Sequence, residues 1–168
     1  MDVEEFLKDY VDVDRFHAAC ERCPLYGATW ACPPLDFDPL DFWHKYDVVT
    51  IYCRKFIFED EDDYPEDLQE FFYDARGKIA QEMYKREEEQ PGSISLLGGA
   101  CDICGIENCS RKKGEPCRFP KYMRRSLEAL GGDAEKMAKD FFGIEVEWPK
   151  DGKLKFMVFV TVLLRPGC

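Results

Sequence analysis

A chain of 168 residues, 45% hydrophobic and 34% charged, has the length of one domain and enough apolar content for a core, which excludes a disordered or linker protein. Its net charge of −11 argues against nucleic acid as a partner, and its longest apolar run, 156–164, is too short to cross a membrane. The start, Met1-Asp2-Val3-Glu4-Glu5, has neither the basic nor the apolar region of a signal peptide. The expectation is a single metal-binding domain, residues 1–168, in the cytoplasm, with nine cysteines to explain.

In chain order, 3–10 and 11–19 read as short amphipathic helical pieces. They lead into a first cysteine group, Cys20, Cys23 and Cys32, spaced C-x2-C-x8-C in a segment that also holds Tyr26, Gly27, Trp30, Pro33 and Pro34. Three thiolates can hold a metal and leave a fourth position open for catalysis or ligand exchange. His17, His44, Cys53 or Cys168 could close that position. The plainer alternative is a loop stiffened by Pro and Gly whose cysteines only pack.

Residues 47–58 are rich in Val, Ile, Tyr and Phe, a strand signal, and Cys53 within them reads as structural. After an acidic loop, 59–63, Asp63 and Glu66 form a capping box around Pro65 and open a long helix. Leu68, Phe72, Ala75, Ile79 and Met83 give that helix one apolar face, and Pro91-Gly92 stops it. A short strand, 93–97, then delivers the chain through Gly98 and Gly99 into the second cysteine group.

That group, Cys101, Cys104, Cys109 and Cys117, is spaced C-x2-C-x4-C-x7-C. Four thiolates suit Zn²⁺ or an iron–sulfur cluster. Structural zinc sites usually present two short pairs, whereas here one pair precedes two single cysteines. The pattern is nearer a ferredoxin-type run, and it points to a [4Fe–4S] cluster with zinc as the alternative. A disulfide framework fits poorly, since the cysteine total is odd and a cytoplasm is reducing.

The charge is uneven. Residues 111–125 carry +6, leaving −17 on the rest of the chain. Such cations beside a negative cluster raise its potential, and Arg118, Lys121 and Arg124 are the candidates for contact with it. The same stretch could dock a redox partner protein, or be only a solvated face.

Pro120 opens an expected helix, 121–130, ended by Gly131 and Gly132. Cys117 would then precede a helix N-terminus, which lowers a thiol's pKa. Asp133 caps a further helix to Phe142, stopped by Gly143. Residues 144–148 and 153–164 read as a hairpin turned through Pro149, Lys150, Asp151 and Gly152. The expected fold is α+β: a mostly antiparallel sheet of about four strands, covered by helices on one face, with cysteine-rich metal-binding loops.

No GxGxxG or Walker loop, HExxH pair, CxxxCxxC run or CxxCH motif occurs. Taken together, Cys20-x2-Cys23 with Tyr26-Gly27, Trp30 and Cys32-Pro33-Pro34, then Cys101-x2-Cys104-x4-Cys109, Cys117-Arg118-x-Pro120 and Arg124-x-Ser126-x-Glu128-Ala129-x-Gly131, resemble the metal-binding proteins of the domain-of-unknown-function 2284 family. The chain departs from that pattern at Phe119 and Arg125, where the family often carries His and Pro. The resemblance implies metal binding, an iron–sulfur cluster above all, and implies no reaction. Three functions follow as expectations. One is a redox module carrying a [4Fe–4S] cluster on the second group. The others are a metalloenzyme or metal-handling protein built on the open first group, and a zinc-stapled structural protein.

Overall fold

The structure, a computed structural model, describes residues 1–58, 64–147 and 153–167. Asp2 accepts the backbone N–H groups of Glu4 and Glu5 and so caps α1 (Val3–Tyr10), which buries Val3, Phe6 and Tyr10. Asp12 caps α2 (Val13–Cys20) in the same way through Arg15. A third helix, α3 (Pro39–Trp43), was not expected from periodicity because five residues are too few to show it. Its local signal is the pair Asp38-Pro39, a capping carboxylate followed by proline in the first turn. Then follow β1 (Val48–Ile57), α4 (Leu68–Glu89), β2 (Ile94–Leu96), α5 (Ala134–Phe142) and β3 (Phe156–Arg165).

The sheet has the order β1-β3-β2, and both pairings are antiparallel. Val49 faces Leu164, Cys53 faces Val160 and Leu96 faces Val162. Central β3 is buried without a break from Phe159 to Leu164, as its near-continuous apolar run requires when both faces are covered. Side chains alternate between faces along a strand. Val160, Val162 and Leu164 join Phe6, Trp43 and Met137 in one core, while Phe159 and Leu163 join Ala75, Ile79 and Met83 of α4 in another. Helices therefore cover both faces, where the sequence suggested one.

Four expectations need correction. The sheet has three strands rather than about four. Residues 144–147 form no strand; Ile144 and Val146 pack as apolar plugs against the first core, and β3 takes β1 and β2 as its partners instead. Trp148 and the proposed turn, 149–152, lie outside the described residues, as do the acidic loop 59–63 and Cys168. The long helix begins at Leu68, capped by Asp67 through Gln69 and Glu70, whereas Glu66 precedes it and Asp63 lies outside the described residues.

The largest difference is at 121–130. No helix forms there. The chain turns at Phe119, whose carbonyl accepts from Tyr122 and Met123 at 3.0 and 2.9 Å. It then runs extended beside Leu97, pairing in parallel at Ser126, and ends in a 3-10 turn, Glu128–Leu130. Pro120 and Gly131 look like helix ends locally, but partners distant in sequence decide the conformation: Arg124 pairs with Glu87 of α4, and Leu127 and Leu130 are fully buried. Gly131 is required for another reason. Its φ is +85°, and a Cβ there would lie 2.9 Å from Val13 of α2.

Leu163, on the face of β3 that packs against α4, has no exposed surface. Leu163→Ala is expected to lower unfolding free energy by about 2–5 kcal/mol. Ile57→Ala, at a position 58% exposed, should cost at most about 0.5 kcal/mol. Urea unfolding followed by circular dichroism compares the two.

Candidate metal centre

β2 delivers the chain to Leu97 and then to Gly98-Gly99, where it passes over α4. Gly99 has φ +73°, and a Cβ on it would lie 2.9 Å from the Phe72 ring, so only glycine makes this close approach. The loop beyond is built from tight turns. Gly105 N–H donates to Asp102 at 2.7 Å, and short 3-10 turns, Ile106–Asn108 and Ser110–Lys113, flank Cys109. This winding brings Cys101, Cys104, Cys109 and Cys117 to the wall of one small apolar recess, together with Trp30, Ile103, Phe119 and Met123. Cys109 is buried and the other three half-buried.

Burial pushes the Cys101 thiol up, offset in part by the Ile103 backbone N–H and by Arg76. Arg76 comes from α4 and is only 3% exposed. Its Nε donates to the Gly98 carbonyl at 2.9 Å and its Nη1 to Asp102 at 3.1 Å, so the guanidinium clamps both sides of Cys101. Its Nη2 is buried with no partner among the described residues. A buried cation with a spare N–H beside Cys101 favours the anionic form of that thiol. The clue in the sequence was an arginine on the apolar face of the long helix, between Ala75 and Ile79. The helix-dipole argument for Cys117 falls, because a turn and not a helix follows it.

The first group starts at the last residue of α2. Cys23 N–H donates to the Cys20 carbonyl at 2.9 Å, Leu25 N–H to Cys23 Sγ at 3.4 Å, and the Thr29 hydroxyl to Cys32 Sγ at 3.5 Å. Cys20 is pushed up to about 11 by burial and by the negative charges of Cys32, Glu128 and Cys23. Burial also raises Cys32, against the Thr29 hydrogen bond and Arg111 and with Cys23 and Glu128. The three thiols therefore act on one another, and so does Glu128, which the sequence offered only as part of the family pattern and not as a site residue. Of the residues considered for closing this group, His17 has its Nε2 on the Ala129 carbonyl at 2.9 Å, and His44 faces Glu4 at 3.4 Å. Cys53 lies mid-strand in β1, and Cys168 lies outside the described residues. Among the described residues, no three His, Cys, Asp or Glu side chains are grouped to hold a metal ion.

The two cysteine loops are packed directly on each other. Arg111 Nη1 donates to the Thr29 and Cys32 carbonyls at 2.6 and 2.5 Å, and its Nη2 donates to the Pro34 carbonyl. Arg125 donates to the Trp30 carbonyl, and Ser126 N–H to Ala31 at 3.0 Å. Trp30 answers with its indole N–H, 3.3 Å from Ser110 Oγ and 3.2 Å from the Glu115 carbonyl. Burial lowers the Arg125 pKa; Asp36, Cys117 and Cys32 oppose this and Arg111 adds to it.

The basic stretch thus divides in two. Arg111 and Arg125 hold the loops together, and Arg124 is bound to Glu87 and lies over the Tyr84 ring. Arg118 donates to the Asn108 carbonyl at 2.5 Å and lines an open groove with Cys104, Cys109, Lys112 and Lys113. Lys121 is exposed beside Tyr122. No helix of the described residues is long and apolar enough to cross a membrane.

Arg111→Gln leaves several carbonyls of 29–34 without a charged donor and is expected to cost about 1.5–3 kcal/mol. Lys113→Gln, on the exposed side, should change stability by no more than about 0.5 kcal/mol. Denaturant unfolding measures both, and limited proteolysis should find new cleavage within 20–34 only in the first variant.

The family described as predicted metal-binding protein (DUF2284) matches residues 7–164, and neither a curated protein nor a solved structure matches the chain. Matched over nearly its whole length, and with two cysteine loops folded against each other, the chain belongs to the DUF2284 family of predicted metal-binding proteins.

Proposed function

We propose that the chain is a single metal-binding domain of the cytoplasm that carries a [4Fe–4S] cluster on Cys101, Cys104, Cys109 and Cys117 and serves as a redox module. The observation that supports this reading is the meeting of all four thiols at one apolar recess. One close pair followed by two single cysteines favours a cluster over the paired knuckles of structural zinc. When bound, the cluster supplies one-electron exchange. Trp30, Phe119 and Met123 keep water from the recess, which strengthens every charge interaction inside it. Arg76 holds a fixed positive charge behind Cys101. Lys112, Lys113, Arg118 and Lys121 remain exposed around the rim and offer an acidic redox partner a docking surface.

Protein purified without oxygen should be brown, contain about four irons and four acid-labile sulfides per chain, and bleach with dithionite. Cys109→Ser should lose most of both. Colourless protein with one zinc per chain overturns the reading. Arg76→Met should make the reduction potential more negative, and Arg76→Lys, which keeps the charge, should restore much of it; protein-film voltammetry measures the difference.

A further inference from the structure

We propose that the chain forms a symmetric dimer through the outer edge of β1, each copy adding its strand antiparallel to the other's. The inference rests on the sheet alone and holds whatever the cysteine loops bind. Of the sheet's two outer edges, that of β2 is closed within the chain. Ser95 N–H donates to Glu87 at 2.8 Å, Leu97 N–H to the Arg125 carbonyl at 3.2 Å, and Leu127 N–H to the Leu97 carbonyl at 3.0 Å. β1 is closed only at its start, where Val49 N–H donates to the Met1 carbonyl at 2.9 Å and the Met1 ammonium to the Val49 carbonyl at 3.1 Å. Phe58 N–H points to the opposite side, toward Lys155 just before β3, at 2.8 Å. Backbone direction alternates along an antiparallel strand, so Ile51, Cys53, Lys55 and Ile57 turn their N–H and C=O groups outward, as Val49 does. None of these groups meets a partner among the described residues. An open edge of this length is a template for another strand.

The side chains favour a second copy of β1 as that strand. Residues 48–57 carry Arg54 and Lys55 and no acid, so two copies of a chain of net charge −11 meet here without carboxylate facing carboxylate. The register follows from the strand ends. Pairing Cys53 with Cys53 of the second copy sets Ile57 against Val49, whose edge Met1 already occupies, and pairing Lys55 with Lys55 opposes two cations. The register between these sets Ile51 against Ile57 and Cys53 against Lys55, with Arg54 beside Arg54 at the two-fold axis. It covers Ile57, at 58% the most exposed large apolar side chain of the described residues, with the half-buried Ile51. On the other face it sets Tyr52 against Phe56, an aromatic pair made twice by the symmetry. Each Arg54 is bonded to Glu82 at 2.7 Å, both side chains about half exposed, so the axis gathers two arginines and two glutamates instead of two bare cations. The contact is small, and small contacts associate weakly, so a dilute chain is monomeric.

The test uses the full chain purified without oxygen. Sedimentation velocity over a range of concentrations should show a monomer–dimer equilibrium. Amide exchange followed by NMR should slow at Ile51, Cys53, Lys55 and Ile57 as concentration rises, while Val49 stays protected throughout. Ile57→Lys, at an exposed position, should weaken the dimer at least about tenfold; Leu40→Lys, exposed on α3, should leave it within a few-fold. Circular dichroism checks that both variants fold. A chain that stays monomeric up to about 1 mM overturns the proposal. So does a dimer that survives Ile57→Lys and is lost in Lys113→Glu, which places the contact at the basic stretch. Protection of the four amides in the dilute monomer means that part of the same chain covers the edge, and overturns the proposal as well.

Discussion

A single guanidinium decides how this molecule is put together. Arg111, from the loop of the second cysteine group, gathers carbonyls of Thr29, Cys32 and Pro34 from the first. Neither loop is long enough in regular structure to satisfy its own backbone, and unpaired carbonyls in a half-buried loop are costly. The arginine takes the place of a strand partner. Arg125 and Ser126 complete the work at Trp30 and Ala31, so consecutive carbonyls of one cysteine loop are bound by groups from the other half of the chain. Two thiol clusters separated widely in sequence become neighbours through main-chain hydrogen bonding, before any metal is considered.

The scaffold serves this junction. β3 is covered on both faces, and β2 beside it is only three residues long; its function is to aim the chain. From its end the segment 97–99 is fixed on one side by the extended pairing at Ser126 and on the other by α4, which supplies Phe72 under Gly99 and Arg76 beside Cys101. Rigid elements on both sides hold the thiols more precisely than loops alone would.

Much of this was legible in the sequence, and the rest was not for identifiable reasons. The cysteine spacing marked the four residues that share the recess, and the caps and apolar faces of α1, α2 and α5 are local signals that local structure obeys. The segment 121–130 misled because Pro and Gly mark the ends of many kinds of turn. Its extended path follows from Glu87, Leu97 and Ala31, none of them near in sequence. Residues 144–147 have the composition of a strand, but burial against the core used their apolar side chains without pairing their backbone. Arg111, Arg124 and Arg125 read as part of a basic patch beside the cluster, because their partners are carbonyls and a distant glutamate, invisible to composition.

Trp30 belongs to the first loop, yet its ring is part of the wall around the four thiols of the second. The shelter of that recess is thus borrowed. On that side, how far solvent reaches the four thiols is set by how firmly the first loop stays closed. Loosening the chain near Cys32 would leave the four cysteines in place and still open their recess to solvent.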